Sequence, residues 1–329
     1  MTTQKQYNYC LDFVKGIACI FVVFMHCEFP GLLGIGVQAI SRFCVPLFFM
    51  VSGYYCYRNA PISFTDRKKK VRHILKITVN AAIFYILFAF VQNKIWGDVS
   101  LSVTWDRIIP FLCCNQMFII VSQMWFLFAL LYVYVVFMLV GESSWFKKYS
   151  ITISVICLIL YVCLAQGFHL VGINVPNFAY KNWLIEGLGF FTLGYVIHQH
   201  HTAIVFNNSA LISVFFLFTA LSLFERFLLA RDFGVNMCSI PQVIALFLYA
   251  INNPEHHKGK IQQLGKNCSM YIYILHPFVW HSLERIYNAF HIAENTIALY
   301  IMPIFVLFIT ILLSILFHYS QLKLRLKEI

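Results

Sequence analysis

Charged residues are scarce in this sequence. Asp, Glu, Lys and Arg make up 11% of its 329 residues, whereas a typical soluble chain carries about 25%. Apolar and aromatic residues make up 60%, which is more than a water-soluble fold can hide. At about 20 residues per transmembrane helix, this content is enough for roughly ten helices. The composition therefore excludes a soluble enzyme with a single anchor, a disordered chain and a secreted disulfide-rich module.

Several familiar site signatures are also missing. The sequence has no zinc-ligand spacing, no glycine-rich phosphate loop and no nucleophile elbow, so we expect no metal. Its 11 cysteines lie mostly inside apolar runs, which favours small buried hydrophobic residues over a disulfide framework. The formal charge of +11 would suggest nucleic acid in a soluble protein. In a membrane protein a basic excess usually marks cytoplasmic loops, so we expect no nucleic-acid partner.

Stretches without charged residues predict an all-α polytopic membrane protein with about ten transmembrane helices. We treat residues 1–329 as a single integral membrane domain. Residues 108–141 are uncharged for longer than one helix needs, so 110–118 are expected to form a short re-entrant or interfacial piece. The predicted spans are residues 11–29, 38–57, 74–92, 120–140, 149–166, 183–200, 205–224, 235–252, 268–289 and 297–318.

The distribution of basic residues predicts which side each loop occupies. With a cytoplasmic N-terminus, seventeen basic residues fall inside: Lys5, Lys15, Arg58, Arg67, Lys68, Lys69, Lys70, Arg72, Lys76, Lys147, Lys148, Lys258, Lys260, Lys266, Lys323, Arg325 and Lys327. Six fall in the outer connections: Lys94, Arg107, Lys181, Arg226, Arg231 and Arg285. Arg42 lies near the outer end of the second span. The positive-inside rule therefore predicts that both termini are cytoplasmic.

Two ionisable residues in the first span are candidates for function, because such residues are costly inside a membrane. Lys15 and His26 are separated by about 16 Å along a helix and lie nearly on one face. A cation at the inner end and a base towards the outer end suit a long ligand that enters from the cytoplasm. Alternatively, Lys15 reaches the lipid headgroups and His26 bonds to a neighbouring helix. Asp12 is expected to be an N-cap.

The second and third spans carry a helix-disturbing motif and a basic cluster. Pro46 and the Ser52-Gly53 pair are tolerated at a packing kink, or where a cavity satisfies the freed backbone groups. The cluster from Arg67 to His73 lies at the inner mouth of the third span. It could anchor the chain to anionic lipid or bind phosphates, and spacing does not separate these alternatives.

Three further spans contribute the remaining candidates. Trp125 opens the fourth span, where tryptophan is common as an interfacial residue. Glu186 lies about one turn inside the sixth span, at a depth comparable with His26. It could orient His26 or bind an acceptor hydroxyl, or it could be an exposed interfacial carboxylate. Tyr273 and His276 are three residues apart in the ninth span and therefore share a helix face.

Taken together, the motifs resemble the family 3 membrane acyltransferases. The matching residues, in order, are Leu11-Asp12-x-x-Lys15-Gly16 followed by His26, Val45-Pro46-Leu47-Phe48-Phe49-x-x-Ser52-Gly53-Tyr54, Lys70-Val71-Arg72, Trp125-Phe126-Leu127 and Ser269-x-Tyr271-x-x-x-Leu275-His276-Pro277. This sequence has Lys15 where the family most often has arginine, and Ile77 where proline is usual. It also has Gln123-Met124 where histidine or a small polar residue often precedes the Trp-Phe-Leu motif.

The resemblance implies a membrane enzyme that moves an acyl group, usually acetyl from acetyl-CoA, to a hydroxyl of a cell-envelope glycan. It implies that His26 is catalytic and that basic residues at the first and third spans contact the acyl-CoA, here Lys15, Lys70 and Arg72. We add Glu186 as a second catalytic candidate. The candidates for binding the acceptor are Arg42, Ser52, Trp125, Tyr273 and His276.

The sequence therefore predicts an integral O-acetyltransferase of the cytoplasmic membrane, with acyl-CoA, a glycan and membrane lipid as its partners. Its alternative is a transporter of a small polar solute or a lipid-linked sugar, which ten spans with interior polar groups also fit. A transporter should show two repeated halves with paired broken helices, and the sequence has no such symmetry. A structural or accessory membrane protein would leave the aligned Lys15 and His26 without a purpose.

Overall fold

The computed structural model describes residues 7–97, 104–117, 121–200 and 206–327. Throughout these residues the chain is helical, with turns and loops but no strand, which confirms the all-α prediction. The α-helices are α1 (Tyr9–His26), α2 (Gly31–Ile40), α3 (Cys44–Tyr54), α4 (Phe64–Trp96), α5 (Trp105–Cys114), α6 (Trp125–Val140), α7 (Ser144–Val162), α8 (Phe168–Leu170), α9 (Leu188–Gln199), α10 (Asn208–Leu229), α11 (Ser239–Asn252), α12 (Lys260–Asn267), α13 (Ser269–Ala289) and α14 (Thr296–Lys327).

Seven helical stretches in the described residues are long and apolar enough to cross a membrane, fewer than the ten predicted. They are Tyr9–His26, Gly31–Tyr54, Phe64–Trp96, Ser122–Val140, Ser144–Leu170, Asn208–Leu229 and Thr296–Lys323. The other three predicted spans are helical too. Two of them, around α9 and α11, are short, and α13 carries Glu284 and Arg285. The chain is thus a polytopic helical membrane protein, and the orientation of its termini stays a prediction.

The predicted short piece at 110–118 coincides in part with α5. This ten-residue helix has no fully buried side chain, and its interfacial or re-entrant position stays a prediction. Asn115 ends the helix with a left-handed backbone conformation at φ 50°. Phe118, the last residue of the predicted piece, lies outside the described residues.

The helices form two compact units. Unit 1 comprises residues 1–47 and 205–329, and unit 2 comprises residues 48–204. The first holds α1, which contacts α11, α12, α13 and α14. The second holds α4 to α9, where α6 packs against α4 and α7 packs against α9.

Glycines in unit 1 bring α1 and α12 into close contact. A Cβ atom on Gly16 would lie 2.2 Å from the carbonyl oxygen of Ile261, and one on Gly265 would lie 1.9 Å from that of Asp12. The glycine of the Lys15-Gly16 motif is therefore required for packing. The predicted N-cap, Asp12, was wrong: the N-cap is Asn8, four residues earlier, and its side chain accepts a hydrogen bond from the Leu11 amide at 2.7 Å.

Glycines also explain part of the motif in the second span. In unit 2, a Cβ atom on Gly53 would lie 1.8 Å from the carbonyl oxygen of Phe191, and one on Gly194 would lie 2.0 Å from that of Met50. These two positions let α3 and α9 approach until their backbones touch. Beside this contact is a buried core made of Cys56, Ile62, Val133, Phe137, Phe146, Phe191 and Tyr195.

Candidate active site

Two histidines from distant parts of the sequence meet in unit 1. His26 is the last residue of α1, and its ring stacks on that of His276 in α13 with centroids 5.3 Å apart and planes inclined by 21°. His276 is almost completely buried, with 1% of its surface exposed, whereas His26 is half-buried. Both residues were predicted from the sequence to be site residues, for different reasons, and the structure brings them into contact.

The backbone of α13 fixes the orientation of His276. Its Nδ1 lies 3.0 Å from the carbonyl oxygen of Ile272, and a carbonyl can only accept a hydrogen bond. Nδ1 must therefore carry the proton, which leaves Nε2 with a lone pair in the neutral ring. Within the part of the chain that the structure describes, this buried Nε2 has no hydrogen-bond partner. Tyr273 lies beside it, with ring centroids 6.1 Å apart, which confirms that the two residues share a face.

A cavity of about 470 Å³ opens beside His26 in unit 1. Its volume lies within the roughly 300–1,000 Å³ that is usual for small-molecule sites. The wall combines aromatic rings, carboxylates and apolar side chains, supplied mainly by α13, α14 and the segment that follows α1. The lining residues are His26, Cys27, Glu28, Pro30, Trp280, Glu284, Tyr287, Asn288, Ala293, Leu299 and Met302.

Sequence reasoning missed most of this lining. Trp280, Glu284 and Tyr287 follow His276 by four, eight and eleven residues, so they continue its face along α13. This helical spacing could have identified the three residues from the sequence, although they were not predicted. Glu28 follows His26 closely, but its place in the wall depends on how the chain turns after α1, which no local pattern indicates.

Lys15 lies in a polar cluster at the opposite end of α1 from His26. Its Nζ is 2.9 Å from Oδ1 of Asp12, and only 17% of the lysine side chain is exposed. The hydroxyl of Tyr7 also donates to the Asp12 carboxylate. Lys266 of α12 places its Nζ 4.5 Å from the centre of the Tyr7 ring, so two lysines approach this end of the helix. Lys15 is held by protein partners here, which differs from a side chain that only reaches for lipid headgroups.

Arg42 is the remaining candidate in unit 1. Its side chain is 6% exposed and forms an ion pair with Asp232, in the loop that follows α10. A buried charge needs such a partner because desolvation is costly. Arg42 therefore has a structural role in the folded chain, and its predicted role in binding acceptor stays a prediction.

The basic and hydroxyl candidates of unit 2 lie on α4 and α3. Lys70 donates to the carbonyl oxygen of Tyr55 at 2.7 Å and lies 3.3 Å from the sulfur of Cys56. Arg72 is exposed. Ser52 donates to the carbonyl oxygen of Phe48 at 2.8 Å, a bond within its own helix.

Trp125 and Glu186, also in unit 2, are buried. Trp125 is 8% exposed, and Nζ of Lys181 lies 5.0 Å from the centre of its ring, a cation–π distance. Glu186 is 1% exposed and belongs to a π-helical turn, Trp183–Gly187. The alternative of an exposed carboxylate is therefore wrong for Glu186, and Trp125 is packed against protein. Burial of a carboxylate is costly and, in a membrane protein, often marks a functional group.

A comparison with protein families identifies the chain. The model of the acyltransferase domain known as acyltransferase 3 matches residues 8–319. The chain belongs to the acyltransferase 3 family. Neither a curated protein nor a solved structure shows a significant match.

The acyltransferase 3 match covers nearly the whole chain and includes residues of both units. All five motifs that carried the resemblance lie inside residues 8–319, so the recognition from sequence is confirmed. The protein is thus a membrane acyltransferase. For an acyltransferase 3 protein, the combination of a stacked histidine pair and an adjoining cavity makes this end of unit 1 the candidate active site.

Proposed function

We propose that the protein is an O-acyltransferase, acetyl being the simplest donor group, that uses acyl-CoA and modifies a hydroxyl of a surface glycan or its precursor. The observation that carries the proposal is His26: it lines a cavity large enough for a substrate and stacks on the buried His276. A neutral imidazole at such a place is suited to general-base catalysis. The family assignment supports the class of reaction.

In the proposed step, the acceptor hydroxyl attacks the thioester carbonyl of acyl-CoA while His26 takes the hydroxyl proton. The new C–O bond forms, the C–S bond breaks, and the thiolate of CoA leaves. The imidazolium of His26 then returns its proton to that thiolate, so that the base is regenerated. His276, through the lone pair of Nε2, is suited to accept a hydrogen bond from the acceptor hydroxyl, and the Tyr273 hydroxyl is suited to donate one to the acceptor or to the developing oxyanion.

The donor phosphates are proposed to bind at the Lys15 end of α1. A helix places Lys15 and His26 about 16 Å apart, which suits a long donor whose reactive group reaches the histidine. The ion pair with Asp12 compensates part of the Lys15 charge, and Lys266 adds a second positive charge close by. From the family resemblance, Lys70 and Arg72 of unit 2 remain proposed donor-binding residues.

The other residues keep narrower proposed roles. Burial of Glu186 supports a catalytic or positioning role, and burial of Trp125 supports a shaped pocket rather than a lipid-facing ring. Arg42 and Ser52 remain proposed acceptor-binding residues. The proposed location is the cytoplasmic membrane with both termini inside, because the acyl-CoA pool is cytoplasmic and the basic residues are distributed accordingly.

Transfer of a labelled acyl group tests the function. The full chain in lipid nanodiscs would receive labelled acetyl-CoA and a glycan extract, with acylated glycan and released CoA both measured. We expect His26→Ala to lower the rate by about 100-fold or more, as loss of a general base does. His291→Ala is the matched control, because the His291 side chain is 80% exposed. Unchanged transfer by a folded His26→Ala protein would eliminate the proposed base, and solute uptake into proteoliposomes without acyl transfer would favour the transporter.

A further inference from the structure

The cavity beside His26 has the chemistry of a carbohydrate site. Trp280 and Tyr287 supply aromatic rings, and Glu28 and Glu284 supply carboxylates. The apolar C–H face of a sugar ring packs on an aromatic ring, while its hydroxyl groups donate hydrogen bonds to carboxylate oxygens. A polyhydroxylated ring can contact the aromatic rings and donate hydrogen bonds to the carboxylates at the same time. A purely apolar chain would offer the carboxylates no hydrogen-bond donor.

Each carboxylate of the wall is oriented by a neighbour through one of its oxygens. Oε1 of Glu28 accepts a hydrogen bond from Nε2 of Gln38 at 2.6 Å. Oε2 of Glu284 lies 3.3 Å from Nδ1 of His281, one helical turn away. Gln38 is neutral and therefore brings no opposite charge to Glu28. Both carboxyl groups can accept hydrogen bonds from the hydroxyl groups of a ligand.

In the part of the chain that the structure describes, the arginines that act on the wall carboxylates lie outside the cavity lining. No lysine or arginine is among its lining residues in the described chain. Arg42 and Arg226 act electrostatically on Glu28 from outside the lining, and Arg42 is itself ion-paired with Asp232. A ligand with its own carboxylate or phosphate at the sugar ring would meet like charge, which disfavours binding and supplies specificity.

We propose that this cavity is the acceptor subsite and that it accepts neutral sugars and amino sugars but discriminates against acidic sugars. The indole of Trp280 packs against the sugar ring, and the carboxylates of Glu28 and Glu284 disfavour sugars that carry a negative charge. The inference rests on the proposed function, because only an acyltransferase gives the bound sugar the role of acceptor. Sugar binding is measured without transfer, however, so the two proposals can fail separately.

The test is calorimetric binding of three oligosaccharides of equal length to the full chain. The probes are a neutral glucose oligomer, a cationic glucosamine oligomer and an anionic galacturonic acid oligomer. The protein should be in lipid nanodiscs, because sugar-based detergents would occupy the same cavity. We expect the first two probes to bind and the anionic probe to bind at least about tenfold more weakly, a difference of 1.4 kcal/mol.

Two sets of variants separate the charge effect from the ring effect. Glu284→Gln should bring the affinity for the anionic probe closer to that for the neutral probe. Glu28→Lys combined with Glu284→Lys should make the anionic probe bind more tightly than the cationic one. Glu294→Gln is the charge control, because its side chain is 79% exposed and outside the lining. Trp280→Ala should weaken the binding of all sugars by about tenfold, and Trp280→Phe should recover most of the lost affinity.

The outcomes distinguish this inference from the proposed function. Equal binding of the anionic and neutral probes, or no binding of any probe, would overturn the inference. So would unchanged affinities in Trp280→Ala. If the expected order of binding is found but labelled acetyl never reaches any sugar, the subsite stands and the proposed function fails. If acetyl is transferred only to the acidic probe, the function stands and this account of specificity fails.

Discussion

The rings of His26 and His276 lie face to face, 5.3 Å apart, at one end of the first helix. One ring reaches a cavity, and the other is buried and bonded to its own helix backbone. The proposed base therefore rests against a ring whose position is fixed independently of any ligand. Such preorganisation reduces the reorientation needed during the reaction.

Replacing His276 should lower turnover even when the stacking surface is retained. We expect His276→Phe and His276→Ala both to reduce kcat by about 10- to 100-fold, because each removes the Nε2 lone pair proposed to accept a hydrogen bond from the acceptor hydroxyl. The KM for acetyl-CoA should change little, since the donor phosphates are proposed to bind at the other end of α1. Steady-state kinetics with labelled acetyl-CoA provides the measurement. Near-normal kcat in His276→Phe would show that only the packing of the ring matters.

Removing the charge of Lys15 should weaken donor binding more than it slows the chemical step. We expect Lys15→Ala to raise the KM for acetyl-CoA by about tenfold, whereas Lys15→Arg should retain or improve the wild-type value, because guanidinium binds phosphate in a bidentate manner. Lys94→Ala serves as control, since Lys94 is exposed at the far end of α4. A Lys15→Ala protein with normal KM and reduced kcat would contradict the assignment.

The glycines at the contact of α1 with α12, one in each helix, should tolerate no side chain. Gly16→Ala or Gly265→Ala would place a Cβ atom 2.2 Å or 1.9 Å from a backbone oxygen, so we expect a loss of about 1–3 kcal/mol in the free energy of unfolding. Gly36→Ala is the matched control, because its Cβ atom would meet nothing closer than a leucine methyl group at 3.7 Å. Thermal unfolding in nanodiscs measures the differences. Equal melting temperatures for all three variants would contradict this packing.

A pH-dependent contribution to stability is expected from Glu142, between α6 and α7. Burial alone would raise the pKa of its carboxyl, but hydrogen bonds from Lys147 and the Ile62 amide, with the charges of Lys147 and Arg67, lower it overall. A lowered pKa in the folded state means that the stabilisation is complete above the ordinary value of 4.5. It is lost as the pH falls through the folded-state value.

Glu142→Gln should therefore be less stable than the wild type near pH 7, by about 1 kcal/mol or less for this partly exposed pair. The difference should vanish as the pH is lowered below 4.5. Melting temperatures between pH 3.5 and 7, compared with those of Glu294→Gln, check this expectation. A constant difference across that range would show that Glu142 acts through packing rather than charge.

Local patterns were sufficient to nominate the histidines but not to define their surroundings. The cost of ionisable groups in a membrane singled out His26, and helical spacing correctly placed Tyr273 beside His276. Burial of Glu186 could not be predicted, because it depends on which helices cover the start of α9. The place of Glu28 in the cavity likewise depends on contacts between distant segments. Seven of the ten predicted spans coincide with helices of the described residues that are long and apolar enough to cross a membrane, and the count of about ten stays a prediction.

Pro277 leaves a main-chain carbonyl oxygen available to orient the ring of His276. Proline lacks an amide hydrogen, so the carbonyl oxygen of Tyr273, four residues earlier, has no helical donor, and His276 interacts with it as well as with Ile272. The ring is thus oriented by main-chain oxygens, which every amino acid carries. Substitutions at Ile272 or Tyr273 would leave these acceptors in place, so the direction of the imidazole does not depend on which side chains those two positions carry.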